Sequence, residues 1–245
     1  MREAALRPKE ARERLIVALD VPAMEPALSL VDQLGPEVLW YKVGMELFYA
    51  EGPRVLGALT SRGKRIFLDL KLHDIPNTMA GALRSLAAHG VGLTTVHVPA
   101  GGAALQAVAD AARSVERPGH PAPLVLGVTR LTSLSAPDPE RPWADVVRLA
   151  GLAVESGLDG WVAPVPAAPE LRAAHGGMPA LVCPGVRLPE GERGDQVAIG
   201  TPEAAVGAGA DWIVVGRPIT RAEQPSAAAR EFLRRLEGAA PARAH

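Results

Sequence analysis

The sequence predicts an α/β protein built as a single (β/α)8 TIM barrel, and three observations carry that expectation. Short runs rich in Val, Ile and Leu recur along the chain, Ala- and Leu-rich segments of helical period separate them, and 245 residues suit one such barrel of roughly 250 residues. The runs are Leu15 to Leu19, Leu39 to Val43, Arg65 to Leu70, Gly92 to Val98, Leu124 to Thr129, Gly160 to Ala163, Ala180 to Cys183 and Trp212 to Val215. Pro76 to His89, Gly102 to Val115, Trp143 to Ser156 and Pro202 to Ala208 are among the helical segments. Eight repeats favour a closed barrel over an open doubly wound sheet. An open sheet usually carries G-x-G-x-x-G after its first strand, and Leu19-Asp20-Val21-Pro22 has no such glycines. One domain is expected over residues 1–245, with 1–13 as an N-terminal arm and 239–245 as a frayed tail.

Taken in order, the runs deliver polar residues to one rim, the C-terminal ends of the strands, where barrels of this kind place their chemistry. The first run leads to Asp20, the second holds Lys42 near its end, and the third ends on Asp69 and Lys71 with Asp74 just beyond. Thr132 and Ser133 follow the fifth, Arg187 follows the seventh, and Gly216 and Arg217 follow the eighth. The longest irregular piece, Arg187 to Thr201, has a length that in a compact barrel usually marks a functional lid.

Composition bounds the partners. Hydrophobic residues make up 48% and charged ones 22%, a globular balance, and a formal net charge of -1 offers no general field for nucleic acid or an anionic membrane. Any anion must be met by a local site. The one cysteine, Cys183, cannot form an intrachain disulfide and reads as a small core residue, which suits a reducing cytoplasm. Met1 to Arg14 mixes acids and bases without an apolar signal core, and no apolar stretch nears the ~18 residues a bilayer span requires. A soluble cytoplasmic protein is expected.

Asp69-Leu70-Lys71-Leu72-His73-Asp74-Ile75-Pro76-Asn77-Thr78 is the most informative string. With a strand period of two, Asp69 and Lys71 leave the buried Ile66-Phe67-Leu68 run on the same face. Pro76 suits a first helical turn and holds Ile75 extended, so the charges sit on a stiff corner. A surface salt bridge of at most about 1 kcal/mol is the bland alternative, and it explains neither the spacing nor the company of Lys42. Lys42, Asp69, Lys71 and Asp74 sum to zero charge, so they can alternate and offset much of one another's desolvation. Neighbouring carboxylates favour the ammonium form of a lysine, so a proton donor is ready.

This string resembles the orotidine 5'-phosphate decarboxylase family, as do Leu19-Asp20 and Lys42-Val43-Gly44 before it and Pro184-Gly185-Val186-Arg187 and Gly216-Arg217 after it. The similarity is closest to the compact bacterial single-function form and spans nearly the whole chain. It implies loss of carbon dioxide from C6 of the pyrimidine of orotidine 5'-phosphate and protonation of that carbon by Lys71, in a site with Lys42, Asp69 and Asp74. It further implies that Asp20 and Lys42 contact the ribose, Thr132 or the adjacent Ser133 the pyrimidine edge, and Arg187, Gln196, Gly216 and Arg217 the phosphate. A homodimer with shared active sites follows from the same resemblance, with Asp74 and Thr78 reaching the neighbour's pocket and Ile75 among the substrate contacts. No cofactor is implied. Asp69 and Asp74 could in principle hold magnesium, but Lys71 between them competes for the same carboxylates.

One departure concerns His97. Relatives often read valine-histidine, two residues, then glycine-glycine, whereas Val98-Pro99-Ala100 intervene here before Gly101-Gly102, which places His97 out of register and off the site. Magnesium-dependent keto-gulonate phosphate decarboxylases and hexulose phosphate synthases share the D-x-K-x-x-D strand, but Ile75-Pro76-Asn77-Thr78 and Gly185-Val186-Arg187 argue against them. A nucleotide-phosphate binding protein that has lost its chemistry is the alternative from another class; intact Lys42, Asp69, Lys71 and Asp74 oppose it.

Overall fold

The structure, a computed structural model, describes residues 7–118, 121–131, 133–189 and 199–239. Its strands are β1 (Leu15–Ala18), β2 (Trp40–Gly44), β3 (Arg65–Leu72), β4 (Val91–His97), β5 (Leu124–Val128), β6 (Gly160–Val162), β7 (Ala180–Cys183) and β8 (Trp212–Val215). They pair in chain order, and β8 returns to β1 in parallel, Leu15 opposite Ile213, so the sheet closes. The expected barrel is therefore the observed one. Every crossover among the described residues carries helix or 3-10 turn, the longest being Gly102–Val115 between β4 and β5 and Pro225–Gly238 after β8.

Two apolar layers follow from the strand period. Inside the barrel, Ile16, Trp40, Phe67, Leu93, Leu124 and Trp212 fill the floor, with the Trp40 and Trp212 rings edge to face at 6.2 Å. Outside, alternate residues such as Val17, Tyr41, Leu68 and Val125 pack beneath the helices. Cys183 belongs to this outer layer, fully buried, and burial pushes its thiol up to about 12, which fits the inert core residue read from sequence. The helix Pro76–Ala87 starts as expected, with Pro76 in its first turn and Ile75 extended before it at ψ 154°.

The lower ends of the strands are stapled by carboxylates. Asp159, just before β6, accepts the N–H of Val125 at 2.8 Å; Asp211, just before β8, accepts the N–H of Leu181 at 2.8 Å. Asp211 also pairs with Arg172 at 3.1 Å, whose guanidinium donates in turn to the carbonyls of Gly209, Pro179 and Gly176. No helix among the described residues is long and apolar enough to cross a membrane.

Candidate active site

Inward-facing positions climb each strand in steps of two, and at the upper rim the apolar rows end in polar groups. Ile16 and Ala18 lead to Asp20, Trp40 to Lys42, Phe67 to Asp69, and Val214 to Gly216. Above the floor opens a cavity of about 480 Å³ whose lining includes Asp20, Lys42, Asp69, Lys71, Arg187 and Arg217. Phe67, Val128, Val162 and Val214 form its apolar base.

Four of these side chains make an alternating row. Lys42 Nζ donates to Asp20 Oδ1 at 2.8 Å and lies 3.9 Å from Asp69 Oδ2, and Lys71 Nζ donates to the same Asp69 oxygen at 2.8 Å. Asp69 and Lys42 are each 13% exposed and Lys71 25%, whereas Asp20 is 61% exposed at the open end of the row. Opposite charges at this spacing lower the cost of desolvating one another, and this row, with Asp20 as its second carboxylate, also sums to zero. Asp20, not Asp74, closes the row within this chain. Gly44 makes space for it: a Cβ there would stand 3.1 Å from Lys42 Nζ.

Lys71 reaches Asp69 by a route that simple strand alternation does not describe. From Leu68 to Leu72, β3 advances four residues while β4 advances only from Thr94 to Val96, and Lys71 takes φ 51°. It is the only non-glycine with positive φ among the described residues. A bulge with a left-handed lysine is strained by about 1–3 kcal/mol, and such strain persists where the surroundings over-determine it. Thr95 is part of those surroundings. Fully buried on β4, its hydroxyl donates to Asp69 Oδ1 at 2.8 Å and accepts the backbone N–H of Lys71 at 2.9 Å.

Across the rim, the 3-10 turn and loops after β6 and β7 frame the far wall. Val186 bridges to Gly200, and Arg187 N donates to the Gly200 carbonyl at 2.9 Å, so the stems of the Arg187-to-Thr201 loop are tied together. A Cβ on Gly200 would strike Val165 at 2.6 Å, which reserves this stem for glycine. Arg187 is 7% exposed and lines the cavity beside Gly185; Gly216 and Arg217 line it from the end of β8. Thr132 and Gln196 lie outside the described residues. Asp74, Ile75 and Thr78 are exposed on the corner and do not line this chain's cavity, Ile75 standing 66% open to solvent. Asp74 Oδ1 accepts the N–H of Ile75.

Sequence reasoning passed over Thr95 and Arg130. Arg130 lines the cavity after β5, pairs with Asp145 at 2.7 Å and lies over the Trp143 ring at 5.0 Å. A cation just past the fifth apolar run, with a tryptophan at the start of the next helical segment, was the available signal. His97 is the last residue of β4, opposite Val128, and the 3-10 turn Val98–Ala100 follows it. From spacing, His97 was expected to lie off the site. Its ring lies 5.6 Å from that of His73, yet neither lines the cavity. Burial, then the charges of His73 and Lys71, hold the His97 imidazole below its ordinary range against the pull of Asp69.

Taken together, six cationic side chains and three carboxylates line the cavity among the described residues, an excess of three positive charges in a chain whose net charge is -1. That excess is local to this rim. No group of three or more His, Cys, Asp or Glu side chains arranged to hold a metal ion occurs among the described residues.

Residues 13–232 match the model of the orotidine 5'-phosphate decarboxylase / HUMPS family. An orotidine 5'-phosphate decarboxylase from Nostoc sp. is 46% identical over 226 residues, 89% of this chain and 94% of that protein. One from Halorhodospira halophila is 48% identical over 222 residues, 88% and 92% of the two chains. Among solved structures, the orotidine 5'-phosphate decarboxylase of Lactobacillus acidophilus superposes with a TM-score of 0.80 at 38% identity, covering 91% of this chain and 98% of that one.

Proposed function

The chain belongs to the orotidine 5'-phosphate decarboxylase / HUMPS family, and from that premise we propose that it converts orotidine 5'-phosphate to uridine 5'-phosphate and carbon dioxide, with Lys71 as the proton donor. The observation that carries this reading is the Asp20–Lys42–Asp69–Lys71 row at the rim of a cavity with excess positive charge. The substrate brings a phosphate and a carboxylate, and the lining answers both.

In the proposed reaction the bond from C6 to the carboxylate breaks, carbon dioxide leaves, and the electron pair stays on C6. The Lys71 ammonium stabilises that carbanion as it forms and then transfers a proton to it, becoming an amine that solvent recharges. Asp69 holds the ammonium at the reacting face through its 2.8 Å bond. Asp20 and Lys42 take the ribose, Thr132 or Ser133 the pyrimidine edge, and Arg187, Gln196, Gly216 and Arg217 the phosphate. Binding there, remote from C6, supplies energy for closure over the substrate. No metal or organic cofactor enters the scheme.

The assembly we propose is a homodimer. Asp74 and Thr78 stand exposed beside an open Ile75 on the stiff corner, where they are available to a second copy's cavity. Mixing inactive Asp74→Ala with inactive Lys42→Ala subunits then restores activity, since one site of each mixed dimer keeps both residues; verified mixed dimers without activity contradict sharing.

The decisive assay adds orotidine 5'-phosphate to protein treated with a chelator and follows the loss of orotate absorbance. Turnover that survives chelation is expected. Turnover abolished by chelation and restored by magnesium assigns the chain to the magnesium-dependent branch instead, and no turnover with tight product binding makes it a binding protein.

A further inference from the structure

We propose that Thr95 is a positioning residue for the reaction, a single hydroxyl that locks the Asp69 carboxylate and the Lys71 backbone into the geometry needed for proton transfer. The inference rests on the reading of Lys71 as proton donor. Its physical content is the direction of two hydrogen bonds. A backbone N–H can only donate, so at Lys71 the Thr95 oxygen must accept, at 2.9 Å, and the hydroxyl proton is left for Asp69 Oδ1 at 2.8 Å. That fixes the plane of the carboxylate. Its other oxygen, Oδ2, then faces both ammoniums, Lys71 at 2.8 Å and Lys42 at 3.9 Å.

The same hydroxyl meets the strained peptide. Lys71 at φ 51° leaves the ladder between β3 and β4, and its N–H, turned away from regular pairing, finds Thr95 instead. Thr95 is fully buried, so removing its oxygen leaves both partners without water to replace it. Asp69 would then be free to turn about its side-chain bonds, and Lys71 free to leave the bulge. Either motion moves Nζ from C6.

Thr94 supplies an internal control. It is equally buried on the same strand, but its hydroxyl donates to the Leu68 carbonyl at 3.1 Å and touches neither reacting group. Thr94→Val and Thr95→Val therefore remove bonds of similar burial with different consequences.

The test measures kcat, KM and the dissociation constant of uridine 5'-phosphate for wild type, Thr95→Val, Thr95→Ser and Thr94→Val. Thr95→Val should lose about tenfold to a hundredfold in kcat, as loss of a charge-assisted hydrogen bond implies, with KM and product affinity within about twofold. Thr95→Ser should recover to within about threefold of wild type, and Thr94→Val should keep its kcat within about twofold. A Thr95→Val kcat within about twofold of wild type overturns the proposal, as does an equal loss in Thr94→Val. If Thr95→Val does not fold, Thr95→Ala removes the same hydroxyl with less bulk; if neither folds, Thr95 holds the barrel and the proposal falls. An inactive wild type is a different result, which defeats the functional reading itself.

Discussion

Asp69 and Asp211 are almost equally withdrawn from water, their side chains 13% and 14% exposed, and each accepts from a cation, yet they stand at opposite ends of the barrel with opposite surroundings. Around Asp211 the partners are closed off. One oxygen takes the Leu181 N–H and the Arg172 guanidinium, and Arg172 uses its remaining donors on backbone carbonyls. Around Asp69 the partners are two ammoniums that line an open cavity, and the strand beside it is strained. A buried carboxylate thus signals chemistry only when its counter-charges still have hydrogen-bonding capacity facing empty space. Burial and pairing alone describe both.

The two carboxylates separate most clearly when Lys71, the cation beside Asp69, and Asp211 itself are removed in turn. Lys71→Ala should cost at least about a hundredfold in turnover, the lower range for a positioned general acid, while the circular dichroism spectrum stays native. Retention of more than about a tenth of the activity, a barrier change under about 1.4 kcal/mol, would sink Lys71 as the acid. Lys71→Gly adds a second reading. Glycine takes φ 51° without the steric cost that alanine shares with lysine, so Lys71→Gly should melt no lower than Lys71→Ala while being just as inactive. If alanine gives the more stable protein, the bulge is not strained.

At the floor the expectation reverses. Asp211→Ala strands the part-buried Arg172 charge and the Leu181 N–H, and should destabilise the fold by about 3 kcal/mol, or roughly 6–12 °C in Tm. The kcat of the folded fraction at room temperature should stay within about twofold. A kcat loss as large as that of Lys71→Ala, with Tm unchanged, would erase the distinction between the two carboxylates.

Arg217 tests the rim away from the reacting carbon. Arg217→Ala should lower kcat/KM for the whole nucleotide by about tenfold to a hundredfold, the range for a charge-assisted contact, and far less for a substrate lacking the phosphate. Adding phosphite to that truncated substrate should activate wild type and not the variant. Equal losses for both substrates would move Arg217 from phosphate binding to support of the fold.

Much of this arrangement was legible because the strand period carries it. Apolar rows that step by two and end in Asp20, Lys42 and Asp69 can be read from sequence, and so can the closed order of eight runs. The bulge at Lys71 was not legible, since no glycine marks it and a lysine at positive φ has no local signal. Thr95 was hidden for a related reason: a threonine in a strand is an ordinary β-former until its partner across the ladder is known. Within this chain Asp20, from the end of another strand, completes the row beside Lys42, while Asp74 stands exposed on the corner beyond β3, where its expected role toward a second copy leaves it.

His97 gives the smallest expected effect and the finest test, because it stands at the chemical end without lining the cavity. Its imidazole is held below the ordinary 6.5 by burial first, then by His73 and Lys71, with Asp69 opposing. The unfolded chain therefore takes up the proton at a higher pH than the folded one. Its contribution to stability is fully present above about pH 6.5 and is lost as pH falls from there through the folded value. Wild type should lose stability between about pH 7.5 and 5.5, measured as the urea midpoint, and His97→Asn should lose less over the same interval. At neutral pH the variant should turn over within about threefold of wild type. Parallel urea curves would mean that other groups set the acid sensitivity. A tenfold loss of neutral turnover would instead place His97 with Asp69 and Lys71, and the boundary between chemistry and support would then lie beyond the cavity wall.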